Sequence, residues 1–429
     1  MKVAVLVPND VLADSRVRRQ VRTLTAAGMT VDTYGLAVGG YRKDYPRSIE
    51  GCRKLVITQV SQLSAHPVLR NVGPRASVRR TGFENFVRWI MDRLTAAVMP
   101  IAKNLRHRQL AHFIVKSIGD ETYDVIHCHD VVALIAGAKM KKLQPRAKIV
   151  WDAHEVYEDL ASSDRRSGAN TRKLIKRCER CVDAFVTIND SIARFYQKHY
   201  RLPKAAVIMN ATTHAGPVHN DGRLRRAAGL SLNRKIMIFQ GGLSPKRGLT
   251  VLAEAAFDLP EPWSIVIMGW GPLETHLRQI AEKVNLGRAP GSERIAFVEA
   301  APQEELVHLT AGADLGIIPY EDHGLNHRYC TPNKLWEFPN AGVPIVATAL
   351  DEMEAMISAW GTGFLMPRNI RPLDIVELLE GLKHDRILEA RRNCARFASE
   401  MAWSRFEPAL LEIYKSFGWG SARIGDEPA

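Results

Sequence analysis

Short β-branched runs alternate with longer amphipathic stretches from one end of the chain to the other. That rhythm is what strands and covering helices of a parallel α/β sheet produce. In the first half it predicts strands at Val3–Val7, Val31–Tyr34, Val125–His127, Ile149–Ala153, Ala184–Ile188 and Ala206–Ile208. In the second half it predicts Ile236–Gln240, Ser264–Met268, Ile295–Phe297, Leu315–Ile318, Pro344–Ala347 and Gly363–Leu365. Between the two sets, NATTHAGPVHNDGRLRRAAG is rich in Gly, Asn, His and Arg and poor in large apolar side chains, which is how a linker reads. The pattern therefore predicts two α/β domains, 1–213 and 214–402. A last stretch, 403–420, has apolar residues at helical spacing and is expected to return to brace the first domain.

Two helices are readable in more detail. Asp14 or Ser15 can cap the first, whose apolar face is Val17, Val21 and Leu24, leaving Arg16, Arg18, Arg19 and Arg22 on or beside the polar side. Those arginines are either a solvated face or a contact for an anionic acceptor. The second lies in Tyr329 to Thr348, YCTPNKLWEFPNAGVPIVAT, where a turn, a helix carrying one carboxylate and a buried strand follow in succession. Pro332 fixes the entry, Asn333 can cap, and the free N–H groups of Asn333, Lys334 and Leu335 would point at an anion, with Lys334 adding a full charge. Glu337, one turn on from Asn333, can accept both hydroxyls of a ribose, while Leu335 and Phe338 face a core. Pro339 implies a short or kinked helix, and Gly342 closes it.

Composition narrows the class. A chain of 429 residues suits two domains, and a formal charge of +13 with a pI of about 9.5 implies an anionic partner: nucleic acid, anionic lipid or a phosphorylated substrate. No apolar run approaches the ~18 residues that span a bilayer, and Met1 to Pro8 read as a core strand, so a cytoplasmic location is the expectation. Six scattered cysteines fit a reducing compartment, and the Cys178-x-x-Cys181 pair has no second pair at zinc-finger spacing. Nucleic acid is disfavoured as the partner, since neither a zinc module nor a helix-turn-helix pattern is present.

Candidate chemistry gathers at strand ends, where α/β folds hold ligands. The first strand is not followed by G-x-G-x-x-G, which removes the dinucleotide fingerprint of an oxidoreductase. His127, His129 and Asp130 end one first-domain strand, and Asp152, His154 and Glu155 the next; neither spacing matches a standard metal-hydrolase signature, so no metal is expected. In the second domain, Gln240-Gly241-Gly242-Leu243 runs into Ser244-Pro245-Lys246-Arg247-Gly248 and a helix from Leu249 to Ala256. Paired glycines admit backbone close to a diphosphate, and Arg247 offers a fork for two phosphate oxygens. Gly269 and Gly271 add a Gly-x-Gly at the end of the following strand.

These motifs, namely DSRVRRQVRTLTAAGMTV, YDVIHCHD, VWDAHE, VIMNAT, QGGLSPKRGL, IMGWGP and TPNKLWEFPNAGVPIVAT, span nearly the whole chain. Together they resemble a family 4 glycosyltransferase of the GT-B architecture, two Rossmann-like domains facing across a cleft. The resemblance implies that the second domain binds a nucleotide-diphosphate sugar and the first binds a hydroxyl acceptor, with retention of anomeric configuration and no metal or other cofactor. It implies Gly241 and Gly242 beside the diphosphate, with Arg247 in place of the usual phosphate-binding lysine; Gly269 and Gly271, at a ligand-facing strand edge, are counted with the donor-binding residues. Asn333, Lys334 and Leu335 would take phosphate at the helix start, Glu337 the ribose, and His154 would reach over the donor sugar; Asn210 would lie near the hinge. Arg247, Lys334 and His154 are thus the expected catalytic set, the first two stabilising charge on the departing diphosphate and His154 positioning the sugar or handling a proton.

The family pattern is broken at two places. Tyr329 stands eight residues before Glu337, where the family's Glu-x7-Glu pair begins, and Glu321 is out of register; Gly242 occupies the position of the family's arginine. The segment from Arg53 to Lys116 carries twelve Lys or Arg residues against Glu84 and Asp92, interleaved with Phe83, Phe86, Trp89, Ile90 and Leu94. It reads either as a helix with a solvated basic face or as a segment lying on an anionic membrane, which would make the acceptor lipid-linked and the enzyme peripheral on the inner face. The function expected is sugar transfer in polysaccharide or glycoconjugate assembly. A nucleotide-sugar epimerase of the same architecture and a catalytically silent relative are the alternatives.

Overall fold

A computed structural model describes residues 1–11, 14–38, 48–60, 104–160 and 165–420. The chain forms two units: residues 1–208 together with the segment from Glu407, and Met209–Phe406. Each holds one parallel sheet, so both are Rossmann-like α/β units.

The first sheet is built from β1 (Lys2–Leu6), β2 (Thr30–Val38), β3 (Lys54–Val60), β4 (Val125–His129), β5 (Lys148–Ala153), β6 (Ala184–Thr187) and β7 (Ala205–Val207). Their order across the sheet is β3-β2-β1-β4-β5-β6-β7, every pair parallel. The second sheet holds β8 (Lys235–Gln240), β9 (Trp263–Met268), β10 (Ile295–Val298), β11 (Leu315–Ile318), β12 (Ile345–Thr348) and β13 (Gly363–Met366), in the order β10-β9-β8-β11-β12-β13. Strand order reverses at β1/β4 in one unit and at β8/β11 in the other. At such switch points the connections leave to opposite faces and open a crevice at the carboxyl ends of the strands.

Helices cover both faces, so central strands such as β4 and β9 are buried along their whole length. Trp151, Phe185 and Tyr196 interlock in the first core, Trp336, Phe397 and Trp360 in the second. Twelve strands lie where the apolar runs place them, eleven of them within two residues at their ends and β2 running four residues further, to Val38. The thirteenth, β3, falls inside the segment read as a basic insertion from Arg53; only 61–103 of that segment lies outside the described residues, and 104–118 is helical.

The boundary comes after Ile208 rather than near Thr213, and the C-terminal stretch divides. Trp403–Arg405 is a 3-10 turn of the second unit, while the helix Glu407–Ser416 belongs to the first. Thr23 donates to Glu407 (2.7 Å) and fixes that helix against Ser15–Ala26. Among the described residues no helix is long and apolar enough to cross a membrane.

Candidate functional site

In the second unit, the end of β8 and two loops build a cationic cradle. Gly241 has φ 114°, a conformation that favours glycine. A Cβ there would stand 3.0 Å from Lys334 Nζ and 3.9 Å from Arg247 Nη1, and one on Gly242 would stand 3.7 Å from Arg247 Nη1. Lys334 and Arg247, far apart in sequence, therefore converge on the paired glycines. Tyr320, just beyond β11, sits between them: Lys334 Nζ donates to its hydroxyl (3.4 Å), and Arg247 Cζ lies 5.5 Å from its ring centre. The Phe239 ring lies 5.3 Å from Lys334 Nζ on another side. Lys334 is only 6% exposed, and among the described residues neither it nor Arg247 has an ion-pair partner. An isolated buried ammonium is costly unless an anion meets it.

Glu337 follows Lys334 on the same short helix, Lys334–Asn340. Gln240 Nε2 donates to Glu337 Oε2 (2.9 Å), and Thr310 Oγ1 donates to Gln240 Oε1 (2.8 Å), so this buried glutamine holds the carboxylate from behind. The other Glu337 oxygen carries no such tie and is the one open to a ligand hydroxyl.

Several expectations need correction. Asn333 is exposed, helical in backbone, and makes no side-chain cap. The Leu335 amide donates to Pro332 O (2.9 Å) and its side chain is in the core, so only the Asn333 and Lys334 amides remain open at the helix start. Gly241 donates its N–H to Met268 O (2.9 Å), which leaves the Gly242 amide as the one facing outward. Gly269 and Gly271 are explained by packing: a Cβ on Gly269 would collide with Gly241 O and one on Gly271 would press on Leu243 O. They let the two loops stack backbone to backbone, supporting the cradle from behind. Trp270 between them is 62% exposed. Pro339 sits in the last turn of its helix, where the lost N–H costs one bond and Glu337 keeps its place. Asn210 donates to Thr331 O (3.4 Å), ahead of Pro332.

The first unit gathers its own cluster at the ends of β4 and β5. Asp152 is fully buried and receives Arg16 through two bonds, Nε to Oδ2 (3.0 Å) and Nη2 to Oδ1 (2.9 Å). Arg16 also donates to Ile208 O (2.7 Å), and Gln20 Nε2 donates to Asp152 Oδ2 (2.7 Å). Arg16 and Arg19 are buried, against the expectation of a polar helix side; Arg22 alone of the four is exposed. Asp14 does cap this helix, accepting from Val17 N (3.1 Å). His154 Nε2 lies 3.2 Å from Asp152 Oδ1 and 3.3 Å from His129 Nδ1. His127 stacks on His129 with ring centres 4.7 Å apart and shares a hydrogen bond with the Tyr414 hydroxyl (2.8 Å).

The electrostatics follow from burial and charge. Burial pushes His127 down to about 4 and His129 well below the imidazole range, so both rings are neutral. Burial opposes the charge on Asp152 too, but Arg16 and His154 outweigh it and hold this carboxyl well below its usual range. Donor atoms of His127, His129 and Asp152 lie within 4.8 Å of one another, a spacing that could suit a metal. The guanidinium of Arg16 already occupies the cation's role there. Asp130 opens the next helix with φ 69°, and burial, helped by Glu155 and Asp14, lifts its carboxyl to about 7.

The geometry missed by sequence reasoning is the part carried by tertiary partners: Gln240, Thr310 and Tyr320 in one unit, Arg16, Gln20 and Tyr414 in the other. Residues 15–214 match the family described as Glycosyltransferase Family 4, and residues 221–401 the one described as Glycosyl transferases group 1. D-inositol 3-phosphate glycosyltransferase of Corynebacterium urealyticum is 28% identical over 207 residues, 45% of this chain and 45% of that protein. The chain thus spans less than half the length of that relative. Among solved structures, sucrose-phosphate synthase of Thermosynechococcus elongatus superposes with TM-score 0.68 at 14% identity, covering 98% of this chain and 100% of the other. Anabaena HepE in complex with UDP-glucose gives 0.65 at 15% identity over 97% and 100%. Two Rossmann-like units with these superpositions define the GT-B fold class. The chain belongs to glycosyltransferase family 4.

Proposed function

We propose that this protein transfers a sugar from a nucleotide-diphosphate sugar to a hydroxyl acceptor, with retention of anomeric configuration and without a metal ion. The observation that carries the reading is the buried, unpaired ammonium of Lys334 converging with Arg247 on Gly241 and Gly242. Two fixed cations and the Gly242 amide suit a diphosphate, and their charge supplies what a divalent ion otherwise would as the leaving group departs. Glu337, held by Gln240, takes the ribose hydroxyls. HepE, whose fold this chain shares, was solved with UDP-glucose, a donor of the same chemical type. The donor sugar is a hexose in this reading, and His154 takes part in the transfer.

The acceptor is lipid-linked and the enzyme works as a peripheral protein on the cytoplasmic face of a membrane. Helix 104–118 exposes Arg106, Arg108 and Lys116, and helix Arg165–Cys178 exposes Arg165, Arg166, Lys173, Lys176 and Arg177; neither contains an acidic residue. Such faces attract anionic lipid at about 1 kcal/mol per basic residue. Polysaccharide or glycoconjugate assembly is the setting that follows.

Incubation with UDP-, GDP- and ADP-sugars, with and without a lipid extract as acceptor, tests the whole reading. Nucleotide diphosphate released only with acceptor supports it; an isomerised sugar nucleotide formed without acceptor would make the protein an epimerase. Co-sedimentation with anionic but not neutral vesicles at low salt supports the membrane part, and a chain that stays in the supernatant has a soluble acceptor.

A further inference from the structure

We infer that Asp152, braced by Arg16 and Gln20, is a positioning residue that ties down Nε2 of His154 and leaves Nδ1 as the ring atom presented to substrate. The inference rests on the reading that His154 takes part in the transfer. The ring's Nε2 faces the buried side, 3.2 Å from Asp152 Oδ1, while Nδ1 faces Asp130 Oδ1 at 3.8 Å. Asp152 cannot turn away, because Arg16 grips both of its oxygens and Gln20 one of them. A carboxylate fixed in this way selects the tautomer with hydrogen on Nε2 and holds the ring plane.

Every charged group around the ring bears on its protonation. Burial alone would lower the basicity of His154; Asp152 outweighs it and raises the ring above its ordinary value. Arg16, behind Asp152, limits that rise, and Asp130 on the entrance side adds to it. Beside them, His129 and His127 are buried and neutral, Tyr157 donates to Asp130, and Glu155 and Asp14 face Asp130 from its flanks. The result is an imidazole with one nitrogen anchored and the other free to accept or donate a proton at the reacting hydroxyls.

The test compares Asp152→Asn with wild type in full-length protein, reading kcat, the pH profile of kcat/KM, and UDP affinity by titration calorimetry. Loss of the carboxylate should lower kcat on the order of 100-fold and move the His154 limb of the pH profile to lower pH, while UDP affinity stays within twofold. In wild type, long-range proton–nitrogen spectra of ¹⁵N-histidine-labelled protein, assigned with His154→Gln, should show hydrogen on Nε2 of the neutral ring and a pKa above 6.5. That measurement needs no variant at Asp152 and stands if Asp152→Asn fails to fold. A neutral ring carrying its hydrogen on Nδ1, or an unchanged pH profile in Asp152→Asn, overturns the inference. Full turnover by His154→Ala would instead overturn the reading beneath it.

Discussion

At the scale of single residues, Lys334 and Arg247 carry opposite consequences for binding and for stability. Each gives a charged hydrogen bond to a bound diphosphate, so replacing either by alanine should weaken UDP binding by roughly 1.5–3 kcal/mol, about 10- to 150-fold by calorimetry. The empty protein tells a second story at Lys334. Its ammonium is buried between the Phe239 and Tyr320 rings with no carboxylate beside it. Lys334→Met keeps the stem's volume and removes the unpaired charge, so it should stabilise the apo protein in urea denaturation by about 1 kcal/mol, while weakening UDP binding as the alanine variant does. A lower apo midpoint would mean the ammonium is part of the folded core and its exposure to an anion incidental. Arg16 has the contrary signature. Arg16→Met strands a buried Asp152 and should destabilise the first unit by roughly 3–5 kcal/mol, with no effect on UDP affinity of the surviving folded protein.

At the scale of elements, the loops after β8 and β9 work as a pair. Gly269 has φ 154°, and a methyl group on it would strike the Gly241 carbonyl. Gly269→Ala should therefore cost roughly 2–4 kcal/mol and also weaken UDP binding, since the Gly241 loop has to move; unchanged affinity in a destabilised variant would separate the two loops. This pairing explains what could be read from the chain and what could not. Strands buried on both faces leave unbroken apolar runs, which is why β1, β4, β8 and β9 were legible. The edge strand β3, KLVITQV, is partly exposed along its length and begins among lysine and arginine, so its signal merges with the basic run that follows. In the candidate site, Gly241, Lys334 and Glu337 announced themselves because glycine at a strand end and a cation at a helix start have few uses. Gly269 announced itself as a place where backbone must come close, and its sequence cannot show that the other party is the Gly241 carbonyl. Gln240, Tyr320 and the Arg16–Asp152 bridge had no local signal, since each acquires its role only through a partner that the chain brings from a distant segment.

At the scale of the whole molecule, the first unit's buried titrating groups set how stability depends on pH, and they pull in opposite directions. His127, held down to about 4, and His129 shift the same way: their contribution is complete above the unfolded value of 6.5 and is lost as pH falls towards 4. For His127 alone the shift corresponds to a loss on the order of 3 kcal/mol. Asp130 behaves oppositely. Its folded value of about 7 lies above the unfolded 3.8, so the native state binds the extra proton; the stability this gives is complete below pH 3.8 and is lost as pH rises through 7. Above pH 7 the fold must hold an ionised Asp130 in a left-handed conformation, near Glu155 and Asp14, with a side chain 28% exposed that water only partly screens. Asp130→Asn removes that charge while keeping a side chain tolerant of the conformation. The variant should then exceed wild type at pH 8 by about 2 kcal/mol in urea denaturation of the full chain, with the advantage shrinking steadily towards pH 4. A constant difference between the two proteins across that range would mean that Asp130 is ionised throughout, with the Tyr157 hydroxyl and His154 together compensating its burial. A carboxyl kept at such a cost beside His154 is poised to exchange a proton near neutrality, so the same substitution should also flatten the pH profile of turnover between 6 and 8.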